Sequence, residues 1–245
     1  MRRIMSASLH QQGANAMNNL SRAKPLPRVR IARLAGCPRR VYLKSMKRTA
    51  RSMDSDKKPA GTGYLTGQLL IAMPQMQDAR FHKSVLYICA HTSDGAMGLV
   101  VNKVLDSLTL PELMEHLEVP TETEMPPEKI HFGGPVETAR GFVLHSADYT
   151  DEGTLIVGDG LALTATLDIL RAIGRGEGPR ETLLALGYAG WGPGQLDAEI
   201  QANSWLSVQV DKGIVFDLHN DTKWERAIAR LGIDAGMLSS EAGHA

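Results

Sequence analysis

Cys89 and His91 stand two residues apart in a β-rich run, Ser84-Val85-Leu86-Tyr87-Ile88-Cys89-Ala90-His91. On a strand that spacing projects both side chains to one face. A thiol with a base beside it, or two ligands for a metal, would follow. The same spacing fits a core cysteine next to a strand-end histidine, the commoner fate of a residue type so often buried. A second set is Arg140, His145, Tyr188, Trp191, Gln195, Glu199 and Asn203, which flank glycine-rich stretches where backbones approach closely and clefts form. There Arg140 would contact an anionic ligand or partner, Tyr188 and Trp191 would wall the cleft, and the rest would orient the guest. The alternative is that these groups hydrogen-bond loop backbone and hold turns. Glu112, Glu115, His116 and Glu118 share a short helix, where acid–base work competes with a plain solvated face. The sequence has no phosphate-loop, H-E-x-x-H or G-x-S-x-G motif. Gly174-Arg175-Gly176-Glu177-Gly178 follows a predicted helix, whereas a phosphate cradle precedes one, so it reads as a helix stop. The pattern calls for no metal and no cofactor.

The elements that must position these residues begin near Gly63. Residues 64–73 read as a strand stopped by Pro74, and residues 84–91 as a buried strand. Asp94-Gly95 turns the chain into a partner strand at 98–102. Thr109-x-x-Glu112 is a capping box for a helix with Leu110, Leu113, Met114 and Leu117 on one face. Residues 119–128 are a proline-broken loop. Short strands follow at 130–132, 141–145 and 154–157. Leu163, Leu167, Leu170 and Ile173 recur at helical spacing. Residues 181–186 form a strand leading into a turn, Gly187-Tyr188-Ala189-Gly190-Trp191-Gly192-Pro193-Gly194. Residues 195–203 form a helix with Leu196 and Ile200 inward and Asp197 and Glu199 outward. Residues 205–210 and 214–216 read as a hairpin, and Thr222-x-x-Glu225 caps a last helix. Short strands, close hairpins and short helices predict one α+β domain at 63–245, with a mixed, hairpin-rich sheet.

Charge divides the chain. Residues 1–58 hold 15 of the 27 Lys+Arg and only two acids, Asp54 and Asp56, for a net charge of +13; the remainder carries −13. The basic segment lacks sustained periodicity and reads as a disordered extension. Four roles compete for it: a start codon placed upstream of a true start at Met46 or Met53, an organelle transit peptide, a nucleic-acid-binding arm, or an anchor to anionic membrane. A body at −13 repels DNA phosphate, so nucleic acid would be reached only through residues 1–58. No apolar run reaches the ~20 residues of a membrane span. Two cysteines, Cys37 and Cys89, make no disulfide framework and fit a cytoplasmic protein.

Several stretches then line up in order: Gly67-Gln68-Leu69-Leu70-Ile71-Ala72-Met73-Pro74, residues 81–91, Gly95-Ala96-Met97-Gly98 with Asn102, Gly133-Gly134-Pro135-Val136, residues 140–145, residues 186–196, Glu199, Asn203-Ser204-Trp205-Leu206 and Gly243-His244-Ala245. They resemble the YqgE/AlgH family of bacterial proteins. The resemblance implies a single α+β domain with a mixed sheet, usually cytosolic, in chains that begin shortly before the Gly67 stretch. It implies no established chemical activity, and some members carry the label of transcriptional regulator. Three functions are weighed. The first is a non-enzymatic regulatory or binding protein acting through the 133–145 and 187–205 segments. The second is an enzyme using Cys89 with His91, or His145, in redox or hydrolytic chemistry. The third is a direct DNA binder through the basic arm.

Overall fold

Ten strands carry the architecture of the computed structural model, which describes residues 64–238. They are β1 (Gln68–Ala72), β2 (Val85–Thr92), β3 (Gly95–Val100), β4 (Val104–Thr109), β5 (Lys129–Phe132), β6 (Val136–Ser146), β7 (Thr154–Gly158), β8 (Leu161–Thr164), β9 (Thr182–Trp191) and β10 (Trp205–Gln209). Helices α1 (Leu110–His116), α2 (Leu167–Gly174), α3 (Gln195–Gln201), α4 (Lys212–Val215) and α5 (Lys223–Ala229) pack on them. The main sheet runs β10-β1-β2-β3-β9-β6-β8-β7. All its neighbours are antiparallel, while β5 joins β9 in parallel and carries β4, so the sheet is mixed. This is the α+β domain the sequence predicts. The basic segment 1–58 and Gly243-His244-Ala245 lie outside the described residues.

Alternation along the strands builds three apolar layers. Leu69, Ile71, Tyr87 and Leu99 meet Phe142, Leu144, Leu163 and Leu183 inside the curl of the sheet, closed by Ile214, Val215, Trp224 and Ile228 of α4 and α5. The opposite faces of β5, β6 and β9 (Ile130, Val143, Leu184, Leu186) are covered by Leu113 and Met114 of α1 and Ile169 and Leu170 of α2. Leu70, Leu86, Ile88, Ala189 and Trp191 lie under Leu196 of α3, with Trp205. Strands covered on both faces need continuous apolar runs, which is why residues 69–72 and 183–186 show no polar alternation.

The glycine-aromatic stretch departs from expectation. It is not a turn: β9 stays in the sheet through Gly187, Tyr188, Ala189 and Gly190 to Trp191, and the chain turns only at Gly192-Pro193-Gly194. Its Gly187 serves contact between backbones, with Gly134 across from it. A Cβ on Gly187 (φ +74°) would lie 2.4 Å from the Gly134 carbonyl oxygen, and one on Gly134 would lie 2.2 Å from the Tyr188 carbonyl carbon. No side chain fits there.

Four other expectations are corrected. The first strand starts at Gln68, because Gly67 sits at φ +83°. Leu163 is on β8, opposite Leu144 and Leu155, and its helical spacing to Leu167 is coincidental. Residues 205–210 and 214–216 do not form a hairpin: β10 pairs with β1, and residues 212–215 are helical because the Asp211 side chain accepts from the Gly213 N–H. The Thr109–Glu112 capping box forms, but that at Thr222 does not, since Thr222 donates to the His219 carbonyl and Glu225 pairs with Lys83.

The glycine contacts predict a graded result. Gly134→Ala and Gly187→Ala are expected to lose more than about 3 kcal/mol in urea denaturation. Gly194→Ala, at φ +68° with nothing within 4 Å, is expected to lose only about 1 kcal/mol, the backbone penalty alone.

Candidate functional site

Pro193 ends β9, and Gly194 in the left-handed region opens α3. One turn into the helix, Glu199 meets the two indoles of this region. Trp191 Nε1 donates to Glu199 Oε2 at 2.9 Å and Trp205 Nε1 to the same oxygen at 2.8 Å. Gln195 donates to the other carboxylate oxygen at 2.8 Å while accepting from the Gly192 N–H. The rings stand edge to face, 6.0 Å between centroids. Glu199 therefore turns toward the sheet rather than outward. Trp191, Gln195 and Glu199 come together as a closed staple of β9, α3 and β10. Asn203 adds backbone only: at φ +56° its carbonyl accepts from Gln75.

Arg140 and Tyr188 form a separate group. Between Val136 opposite Tyr188 and Gly141 opposite Leu186, β6 bulges out, and Arg140 rides on the bulge. Its guanidinium lies 5.0 Å from the Phe142 ring centre and 3.1 Å from the Glu137 carboxylate. Phe142 stands edge to face with Tyr188 at 5.8 Å. His145 belongs to neither group. It is fully buried, its Nδ1 against the Ser146 carbonyl and its Nε2 against the Thr164 hydroxyl, each at 2.9 Å. Burial lowers its pKa, which keeps the ring neutral.

Cys89 and His91 do not share a face. A β-bulge falls between Ile88, opposite Gly98, and Ala90, opposite Met97. The extra residue is Cys89, and one residue inverts the facing of everything after it. Cys89 points into the curl beside Tyr87, and burial pushes its thiol up to about 12. His91 lies on the opposite face, where Nδ1 accepts from the Leu65 N–H and Nε2 is 3.5 Å from Asp197 of α3.

A different part of the fold carries a cavity. A cavity of about 320 Å³ opens where β4, β5 and β9 meet the 216–220 loop, with walls that include Val104, Leu110, Ile130, Leu184, Val215 and Leu218. Its polar lining includes His131, Asn220, Glu128, Lys129 and Asp217. His131 Nε2 faces Asn220 Oδ1 at 3.1 Å, and Asn220 Nδ2 donates to the Leu218 carbonyl, which sets the amide and makes Nε2 the protonated nitrogen. Nδ1 is buried and makes no hydrogen bond of ordinary geometry. Burial brings the His131 pKa down to about 4; the nearby Lys223 charge adds to this, and the Asn220 bond and Leu184 backbone oppose it. Lys223 is wholly buried and bolts the loop shut, donating at 2.8 Å to the carbonyls of both Val101 and Val215. Its pKa falls to about 8, chiefly through burial. Arg226 holds Asp217 and the Gly213 carbonyl. Sequence reasoning missed His131, Asn220 and Lys223. The only signal was polar His131 alternating with Ile130 and Phe132.

A family model described as AlgH-like matches residues 69–236. A UPF0301 protein of Afipia carboxidovorans is 55% identical over 76% of this chain and 92% of its own length. One from Bradyrhizobium diazoefficiens is 52% identical over 81% of this chain and 98% of its own. The solution structure of the AlgH protein from Pseudomonas aeruginosa is similar at a TM-score of 0.61 and 42% identity, over 77% of this chain and all of that one. A Corynebacterium diphtheriae protein shares the fold at a TM-score of 0.54 and 20% identity, over 66% and 87%.

Glu199→Ala leaves two largely buried indole N–H groups without an acceptor and is expected to cost about 2–4 kcal/mol by urea denaturation followed by tryptophan fluorescence. Glu199→Gln, which keeps one acceptor oxygen, is expected to lose less. His131 titrates at 6.5 when unfolded and about 4 when folded. Between those values the unfolded chain binds more protons, so the stability present above pH 6.5 is lost as pH falls toward 4. His145 adds in the same direction. His131→Gln is expected to flatten this slope by up to about 3 kcal/mol across the window, read from urea midpoints at a series of pH values.

Proposed function

We propose that this chain, which belongs to the AlgH-like family, is a non-enzymatic regulatory protein of the bacterial cytoplasm that binds a small ligand in the His131 cleft. The observation that carries this is the cleft itself. A cavity of about 320 Å³ with a largely apolar wall presents a neutral histidine and an amide whose orientation is set. Ligand pockets are concave and mostly apolar, with a few placed polar groups.

Supporting the non-enzymatic reading, the thiol at Cys89 is held protonated in the core, away from His91. Both ring nitrogens of His145 are engaged. An anion at Arg140 is less favoured, because Glu137 already neutralises the guanidinium at 3.1 Å. No described helix is long and apolar enough to cross a membrane. In this reading regulation follows from ligand occupancy, without a DNA contact by the acidic body.

The test is a titration of the ¹⁵N-labelled full chain with neutral apolar probes, benzyl alcohol and cyclohexanol. Saturable shifts are expected at the amides of His131, Leu184, Leu218 and Asn220. Val104→Trp, at a partly exposed wall position, is expected to abolish them while the rest of the spectrum is kept. Shifts centred on Arg140 or Trp191, or none, would overturn the assignment.

A further inference from the structure

We infer that the ligand of this cleft is a small organic cation, an apolar body bearing a primary amine, with the Glu128 carboxylate as its counter-ion. The inference rests on the proposed binding role of the cleft and adds the charge of the guest.

It comes from accounting for the charges in the wall. Lys129 is paired with Asp106 at 2.7 Å. Asp217 is held by Arg226 and by the His219 backbone N–H. Lys223, behind His131, donates hydrogen bonds to two backbone carbonyls. Glu128 differs: its partly buried side chain has no hydrogen bond or ion pair among the described residues. The only influence on its ionisation is burial, which raises its pKa. A carboxylate beside apolar wall with no cation near is an uncompensated charge. A ligand ammonium would supply the compensation, and its hydrocarbon would cover the cleft wall and the exposed Leu218.

The backbone that carries this carboxylate is also held in place. Glu128 follows Pro126-Pro127, donates its N–H to the Pro126 carbonyl at 2.7 Å, and accepts from the Leu110 N–H at 2.8 Å. Two prolines and two backbone bonds leave that stretch little freedom, so little ordering is needed when a cation arrives. His131, at 8% exposure, adds a buried Nδ1 with no hydrogen bond of ordinary geometry to the same wall.

The experiment compares three probes of one shape, hexylamine, hexan-1-ol and hexanoate, by calorimetry and ¹⁵N shifts on the full chain at low salt. Hexylamine is expected to bind roughly tenfold tighter than hexanol, and hexanoate weakest. Glu128→Gln, checked for an unchanged melting temperature, is expected to bring amine and alcohol to equal affinity while the alcohol is unaffected. If amine and alcohol bind the wild-type cleft alike, or the amine keeps its advantage in Glu128→Gln, the charge assignment is wrong and the cleft stands. If no probe shifts His131 or Asn220, both fail.

Discussion

The meeting of β5, β6 and β9 at three glycines is the constraint on which the rest depends. Gly133, Gly134 and Gly187 bring backbones within a distance that no Cβ permits. Because of that approach, β9 pairs with β5 on one edge and β6 on the other, then continues far enough to pair with β3. One strand thus pairs with three others and joins the β10-β1-β2-β3 half of the sheet to the β6-β8-β7 half. Its two faces feed all three apolar layers, through Leu183 and Ala185, Leu184 and Leu186, and Ala189 and Trp191. Burial on this scale, about 1.5–3 kcal/mol for each large aliphatic side chain, is available only while that strand stays in register.

The polar residues near β9 serve the same end. Glu199 gathers two indoles and a glutamine, tying the end of β9 to α3 and β10. The glycine-aromatic segment is therefore a structural signature. It holds the fold through close backbone contact at Gly187 and a satisfied tryptophan pair. A buried indole N–H without an acceptor is costly, and one carboxylate answers two of them.

The cleft is built differently, from elements distant in the chain. His131 comes from β5, Leu184 from β9, and Asn220 from a loop whose ends are joined by one buried lysine. Lys223 reaches the carbonyls of Val101 and Val215, so the loop that carries Asn220 and Asp217 has a fixed base. Burying a lysine is unfavourable unless its protons are received. Here two carbonyls accept its hydrogen bonds, and burial still lowers its pKa.

Local rules determined much from the sequence alone. Apolar runs marked β1, β2 and β9, the Asp94-Gly95 pair marked the hairpin of β2 and β3, and Thr109 with Glu112 marked the start of α1. These depend on neighbours within a few residues, so spacing reveals them. Tertiary structure decided the rest. A single bulge at Cys89 sent His91 to the opposite face, because a strand's facing inverts with one residue. Thr222 and Glu225 found the His219 carbonyl and Lys83 instead of each other. Glu199 turned inward because Trp205, from another strand, offered it a donor. The cleft was illegible for the same reason: His131, Glu128 and Asn220 come together only when the sheet curls, and no spacing along the chain encodes a distance across it.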